Sequence, residues 1–363
     1  MHNYINPRNI DVIEKIGSGT FSDVFKVKIN DKEIAYKKFN ISTNGTIDIE
    51  VFRELSVLSL LNHKPISIGL VTFNNIVYEN NSNGVTIGYT LELYKKDLRK
   101  CILEKDITYS TKLSICNNLL KSLYFLHSNK IIHRDIKPDN IFIDNDNNAI
   151  LGDYSLSKVF SDRYNEGTHT SKIATITYRS PEVVNNDNYS YKADIWSLGV
   201  TLYELYTDSL LNFDTDIDTL NFIEKKMKEK INTKKDPLFT IIKKCLVNSP
   251  RMRLNLKKAL KIPELNNKIS DIKQIGKMCW ELNTEQDISD DIEEMSENFE
   301  VEKTITKQLA QRILDETDFH SHGAVSLASK FYETEPMYGD LNDDYDYKDF
   351  YNLFLKMDFN LYL

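Results

Sequence analysis

The hydrophobic period of this chain changes once, and the change narrows the folds open to it. Between residues 10 and 40 the sequence DVIEKIGSGTFSDVFKVKINDKEIAYKKF alternates β-rich runs with turn residues, which predicts three antiparallel strands joined by a glycine turn and a hairpin at Asn30-Asp31. A helix is expected from about Asp48 to Leu61, with Val51, Leu55, Leu58 and Leu61 on one face, followed by strand-like runs at 68–79 and 85–93. From residue 110 the period is helical. Leu113, Cys116, Leu119, Leu120, Leu123 and Leu126 line one face of a long helix ending near His127, and further helices are expected at 191–206, 219–230 and 236–247. A β-rich small lobe followed by a helical large lobe is an α+β arrangement with a cleft between the lobes.

Composition excludes several classes of function. The 363 residues carry a formal net charge of -8, whereas nucleic-acid binding needs clustered Lys and Arg to neutralise phosphates. No apolar run approaches the roughly 20 residues of a membrane span, and MHNYINPRNID lacks the layout of a secretory signal. Neither nucleic acid nor membrane is expected as a partner. The four cysteines (Cys101, Cys116, Cys245, Cys279) have no paired spacing and read as isolated thiols in a reducing compartment, cytoplasm or nucleus.

The chemistry concentrates in His133-Arg-Asp-Ile-Lys-Pro-Asp-Asn140. In such a loop Asp135 can accept the proton of an attacking hydroxyl, Lys137 can neutralise a transferring phosphoryl group, and Asn140 can reach Mg²⁺. Asp153 lies thirteen residues beyond Asn140, after a strand expected at 149–152, where it can bridge a metal to phosphates. Upstream, Gly17 and Gly19 lie on a strand-turn-strand, where backbone N–H groups can approach phosphates; alone, such a pair is an ordinary hairpin. Lys37, at the end of the third strand, needs an acid to fix it, and Glu54 on the next helix is available.

Taken together in this order and spacing, residues 10–262 resemble a eukaryotic-type protein kinase, with an N-lobe over 10–93 and a C-lobe over 97–262. The resemblance implies the bilobal kinase fold, ATP and Mg²⁺ as cofactors, and protein substrates. It assigns the glycine-rich loop to Ile16, Gly17, Ser18, Gly19, Thr20, Phe21, Ser22, Asp23 and Val24, and the adenine site to Ala35, Leu91, Glu92 and Leu93. Lys37, Glu54, Asp135, Lys137 and Thr175 form the implied catalytic set, with Asn140 and Asp153 as metal ligands. Ser180-Pro-Glu182 stands for the A-P-E triplet with Arg253 as partner of Glu182, and Asp194 begins the helix that anchors the catalytic loop. Lys137 is the serine/threonine form of the loop. A pseudokinase scaffold is the alternative, and retention of Lys37, Asp135, Asn140 and Asp153 argues against it. Two departures stand out: Ser22 replaces the third loop glycine, and the usual D-F-G reads Asp153-Tyr-Ser155, where a Cβ on residue 155 restricts the backbone.

Phe52-Arg-Glu-Leu-Ser56 and Thr175-Ile-Thr-Tyr-Arg-Ser-Pro-Glu182 are similar to cyclin-dependent kinases. That likeness implies a phosphorylated Thr170 gripped by Arg53, Arg134 and Lys158, ordering 160–178. Arg179 matches the arginine that favours proline after the target residue, although the adjacent tryptophan is Thr177. Beyond a boundary near 262–268, residues 263–303 read as an acidic linker or first helices, and 304–363 as a small all-α region. Within it Leu327-Ala-Ser-Lys-Phe-Tyr-Glu333 resembles part of a cyclin box, which implies a cyclin-like activator in cis, or else one in trans. His320 and His322 read as surface residues, and the abundance of Asn, Ile and Lys suggests an A+T-rich genome, a parasite or a large DNA virus acting in its host cell.

Overall fold

A computed structural model describes residues 3–19, 22–40, 51, 54, 55, 57, 58, 61, 68–81, 84–159, 175–185, 190–229 and 236–265. These fall into two compact units, one within 1–64 and 72–93, the other within 65–71 and 94–279. Thr20, Phe21, Arg53, Thr170, Cys279 and everything expected of 266–363 lie outside the described residues.

The first unit is a six-stranded sheet built from β1 (Asn3–Ile5), β2 (Asp11–Ser18), β3 (Ser22–Ile29), β4 (Lys32–Phe39), β5 (Asn75–Asn81) and β6 (Gly84–Leu91). Its order is β1-β5-β6-β4-β3-β2, antiparallel except for the parallel pair β1–β5. The expected hairpin turns at Asn30 and Asp31, both left-handed with φ of 47° and 63°, as a two-residue turn matched to strand twist requires. Because side chains alternate, one face buries Val27, Ile34, Tyr36 and Val77 with Ile10. On the other face, register aligns Gly17 with Val24, Val24 with Lys37, and Lys37 with Tyr89. The adjoining pair is Ala35 and Leu91. The described residues of the next helix, α1 (within 51–61), include buried Val51, Leu55, Leu58 and Leu61, the stripe expected from the sequence.

In place of the strand expected over 68–79, regular pairing begins only at Asn75. The preceding residues belong to the second unit: Leu70 forms a parallel bridge with Leu151, and Val71 N–H donates to the Leu151 carbonyl at 2.8 Å. Their apolar side chains satisfied the strand pattern, but their backbone partner is a strand eighty residues further on.

The second unit is mainly helical: α2 (Leu98–Glu104), α3 (Tyr109–Ser128), α4 (Pro181–Val184), α5 (Lys192–Thr207), α6 (Asp216–Lys228), α7 (Pro237–Cys245) and α8 (Leu256–Ala259). Short strands β7 (Lys96–Asp97), β9 (Ile141–Ile143) and β10 (Ala149–Leu151) form one small sheet, and β8 (Ile131–Ile132) pairs with β11 (Lys158–Val159). Helix α3 starts at Thr108, whose hydroxyl accepts from Thr111 N–H, and buries Cys116, Leu119, Leu120, Leu123 and Leu126 as expected. Its first turn differs, since Leu113 is half-buried while Lys112 is buried. Lys112 is accommodated by an ion pair with Asp208 at 2.7 Å, which a period count cannot anticipate. Helix α5 is buried from Ala193 to Leu205. A Cβ on Gly199 would lie 2.6 Å from the Cys245 Cβ, so glycine is what lets α7 lie so close to α5. Cys101, Cys116 and Cys245 are all buried free thiols.

Candidate active site

In the first unit, the register row ends in a charged cluster. Lys37 Nζ lies 2.5 Å from Glu54 Oε1, and the Tyr89 hydroxyl donates to the same oxygen at 2.7 Å. The Glu54 side chain is 1% exposed, so removal from water is offset by two donors converging on it. Sequence reading found Lys37 and Glu54 but not Tyr89. The signal existed in strand pairing, because Tyr89 stands directly opposite Lys37. The turn of the glycine pair is closed by Gly19 N–H donating to the Ser22 carbonyl at 2.8 Å. Ser18 Oγ donates to Asp23, which also pairs with Lys15. Ala35 and Leu91 are buried neighbours, Ile16 and Glu92 are exposed, and Leu93 is half-buried.

In the second unit, Asp135 is caged. Its Oδ2 accepts from Lys137 Nζ at 2.6 Å and from Asn140 Nδ2 at 2.8 Å, while Oδ1 accepts from the Thr175 hydroxyl at 3.2 Å. Lys137 Nζ also donates to Thr175 Oγ1 at 3.0 Å. One carboxylate therefore meets a cation, an amide and a hydroxyl, and the hydroxyl comes from a residue forty positions away.

The loop that presents Asp135 is held from behind by one buried carboxylate. Asp194 Oδ2 receives His133 N–H at 2.9 Å and His127 Nε2 at 2.8 Å, and Oδ1 receives Arg134 N–H at 2.9 Å. Burial pushes this carboxyl up, but the hydrogen bond from His127 and its neighbours outweigh burial and hold it below the usual carboxylate range. The anchoring permits Arg134 a left-handed φ of 69°, a conformation a non-glycine residue keeps only when its surroundings enforce it. His127 was absent from the sequence-derived site.

The two assigned metal ligands are linked through the backbone, since Gly152 N–H donates to the Asn140 carbonyl at 2.9 Å and Asp153 follows directly. With its Nδ2 donating to Asp135, Asn140 has its amide oxygen as the atom suited to a hard cation. One carboxylate plus one amide oxygen suits Mg²⁺, which keeps waters and substrate phosphates in its remaining positions. Among the described residues no group of three His, Cys, Asp or Glu could hold a metal alone, and no helix is long and apolar enough to cross a membrane.

Residues 10–264 match the protein kinase domain family. The chain belongs to the protein kinase family. Its similar relatives include a "probable serine/threonine-protein kinase" of Dictyostelium discoideum, 28% identical over 258 residues, covering 69% of this chain and 15% of that protein. The CTD kinase subunit alpha of Saccharomyces cerevisiae is 31% identical over 207 residues, covering 55% of this chain and 37% of that one. The chain thus spans well under two thirds of the curated relatives it matches.

Further polar pairs tie the second unit together. Arg253 Nη1 and Nη2 each lie 2.6 Å from one oxygen of Glu182, as the sequence expectation for this pair requires, and the guanidinium also stacks 5.1 Å from the Trp196 ring. Unforeseen is Tyr178, whose hydroxyl donates to Glu204 Oε2 at 2.9 Å while Leu211 N–H occupies Oε1 at 2.7 Å. Burial pushes the Glu204 carboxyl up to about 7. Arg179 pairs with Asp216 at 3.2 Å. Of the expected phosphate grip, Arg134 turns its Nε to the Leu156 carbonyl, and strand pairing sets Lys158 opposite Ile132, two residues before Arg134.

Proposed function

We propose that the domain, over residues 10–262, is a serine/threonine protein kinase that moves the γ-phosphoryl group of ATP to hydroxyls of protein substrates. The cage around Asp135 supports this reading most directly, because it has the parts for handling one hydroxyl proton next to one positive charge. Asp135 Oδ1, which accepts the Thr175 hydroxyl, is the atom that takes the proton of the substrate hydroxyl. Lys137, 2.6 Å from the other oxygen, neutralises charge on the transferring group. Lys37, fixed by Glu54 and Tyr89, holds the α- and β-phosphates, and Ala35 and Leu91 flank the adenine. Mg²⁺, when bound, spreads the negative charge of the phosphates; Asn140 and Asp153 would hold it. Phosphoryl transfer asks mostly for placement and charge neutralisation, and these residues supply both.

Regulation is read in the same way. Phosphorylated Thr170 would draw Arg53, Arg134 and Lys158 together; the adjacency of Lys158 and the 132–134 segment supports the grouping. A cyclin-like activator completes the reading, in cis from 304–363 or in trans, the latter supported by the yeast relative's being a subunit by name.

Incubation of the full chain with Mg-ATP and a peptide array tests the core of the proposal. Serine and threonine peptides should be labelled, and Asp135→Asn should reduce turnover by about 10²- to 10⁴-fold. Equal labelling by both proteins would overturn it.

A further inference from the structure

We propose that the Tyr154 hydroxyl is a positioning group for Asp153. In this reading it is a tether that a phenylalanine at the same place would lack. The inference rests on Asp153 being a metal ligand, as proposed above.

Asp153 has a left-handed φ of 60°. For a residue with a Cβ that conformation is disfavoured, so the turn must be held by what surrounds it. The next residue supplies the hold. The Tyr154 side chain is fully buried, and its ring meets the His133 ring edge-on with centroids 5.6 Å apart. Its hydroxyl donates to the Leu151 carbonyl at 2.9 Å and lies 3.2 Å from the Val71 carbonyl. These two carbonyls belong to neighbouring backbones, since Val71 N–H also donates to the Leu151 carbonyl and Leu151 N–H to that of Gly69.

The hydroxyl therefore bridges the end of β10 and the segment running beside it. The other ring of the pair also reaches this backbone, since His133 Nε2 bonds the Gly152 carbonyl at 2.9 Å. The carbonyls of residues 151 and 152, which lead into Asp153, are thus each held by one member of this aromatic pair. The aspartate's own Oδ1 also accepts from Ser155 N–H at 3.4 Å. Ser155, carrying a Cβ, narrows the backbone choices on the far side of Tyr154. The turn then has one anchored side and one stiffened side, and Asp153 sits in the middle.

A buried hydroxyl must find acceptors whatever its role, so stability alone cannot distinguish a tether from a satisfied donor. The coupling between metal and nucleotide can. Calorimetric titration of ADP into the full chain, with and without Mg²⁺, should show metal strengthening binding in the wild type. Tyr154→Phe should keep the metal-free affinity and lose about tenfold of the metal-dependent gain, in line with one or two neutral hydrogen bonds. Hydrogen exchange at 151–157 should quicken, with a thermal midpoint that certifies a folded variant. A gain within twofold of wild type overturns the tether, and so does an equal loss of metal-free and metal-bound affinity. Asp153→Asn separates the two claims. If it retains the gain, the ligand assignment itself fails; if it abolishes the gain while Tyr154→Phe preserves it, only the tether fails.

Discussion

Arg253 and Glu182 face each other as a double hydrogen bond, both distances 2.6 Å, with the arginine side chain at 0% exposure. The arginine also donates to the carbonyls of Val247, Asn248 and Lys192, so it stitches α5 to the turns before α8.

Removing one partner of such a pair strands a buried charge. Glu182→Gln and Arg253→Met should each lower the unfolding free energy by about 3–5 kcal/mol, read from urea denaturation of the full chain. A change below about 1 kcal/mol would mean the pair is tolerant of its own loss.

The Lys37–Glu54–Tyr89 cluster makes a prediction about coupling. Lys37→Met should weaken ATP binding and also destabilise the fold, since the buried Glu54 keeps its charge but loses the cation 2.5 Å from it. Adding Glu54→Gln should restore about 1–2 kcal/mol of that stability without restoring ATP binding. A double-mutant cycle by thermal unfolding and nucleotide titration checks both halves; additive losses would contradict the reading.

Thr175 touches both Asp135 and Lys137, yet it would not contact adenine or ribose on the proposed reading. Thr175→Val should lower kcat about tenfold and leave KM for ATP unchanged. Steady-state kinetics with varied ATP and fixed peptide distinguishes this from a general loss of binding.

How much of this was legible beforehand depends on which residues carry the contact. Strands β2 to β4, the hairpin at Asn30-Asp31, helix α3 and the loop His133–Asn140 follow from local period and local motif. Tyr89, His127 and Glu204 escaped because their roles are set by partners 35, 67 and 26 residues away in the chain. The strand expected over 68–79 failed for the same reason: hydrophobic alternation reports that a segment is buried, not which backbone it pairs with. Lys112 shows the converse, a residue whose type predicts exposure and whose burial rests on a distant aspartate.

Glu204 gives a pH prediction. Its carboxyl is raised from 4.5 to about 7 by burial, so the folded chain holds this proton more tightly than the unfolded one. Its contribution to stability is therefore greatest below pH 4.5, declines as pH rises from there to about 7, and is constant above. Glu204→Gln removes the titration. The stability of wild type relative to Glu204→Gln should fall by on the order of 3 kcal/mol across that window. Parallel urea melts at several pH values test it, and a flat difference would count against the raised carboxyl.

The triple acceptance by Asp194 carries a lesson for protein engineering. The backbone shape of His133 and Arg134 is stored sixty residues downstream, at the head of a buried helix. Copying the eight letters HRDIKPDN into an unrelated scaffold would transfer the reagents without their geometry. A successful graft would have to bring the helix along, or build a substitute carboxylate in its place.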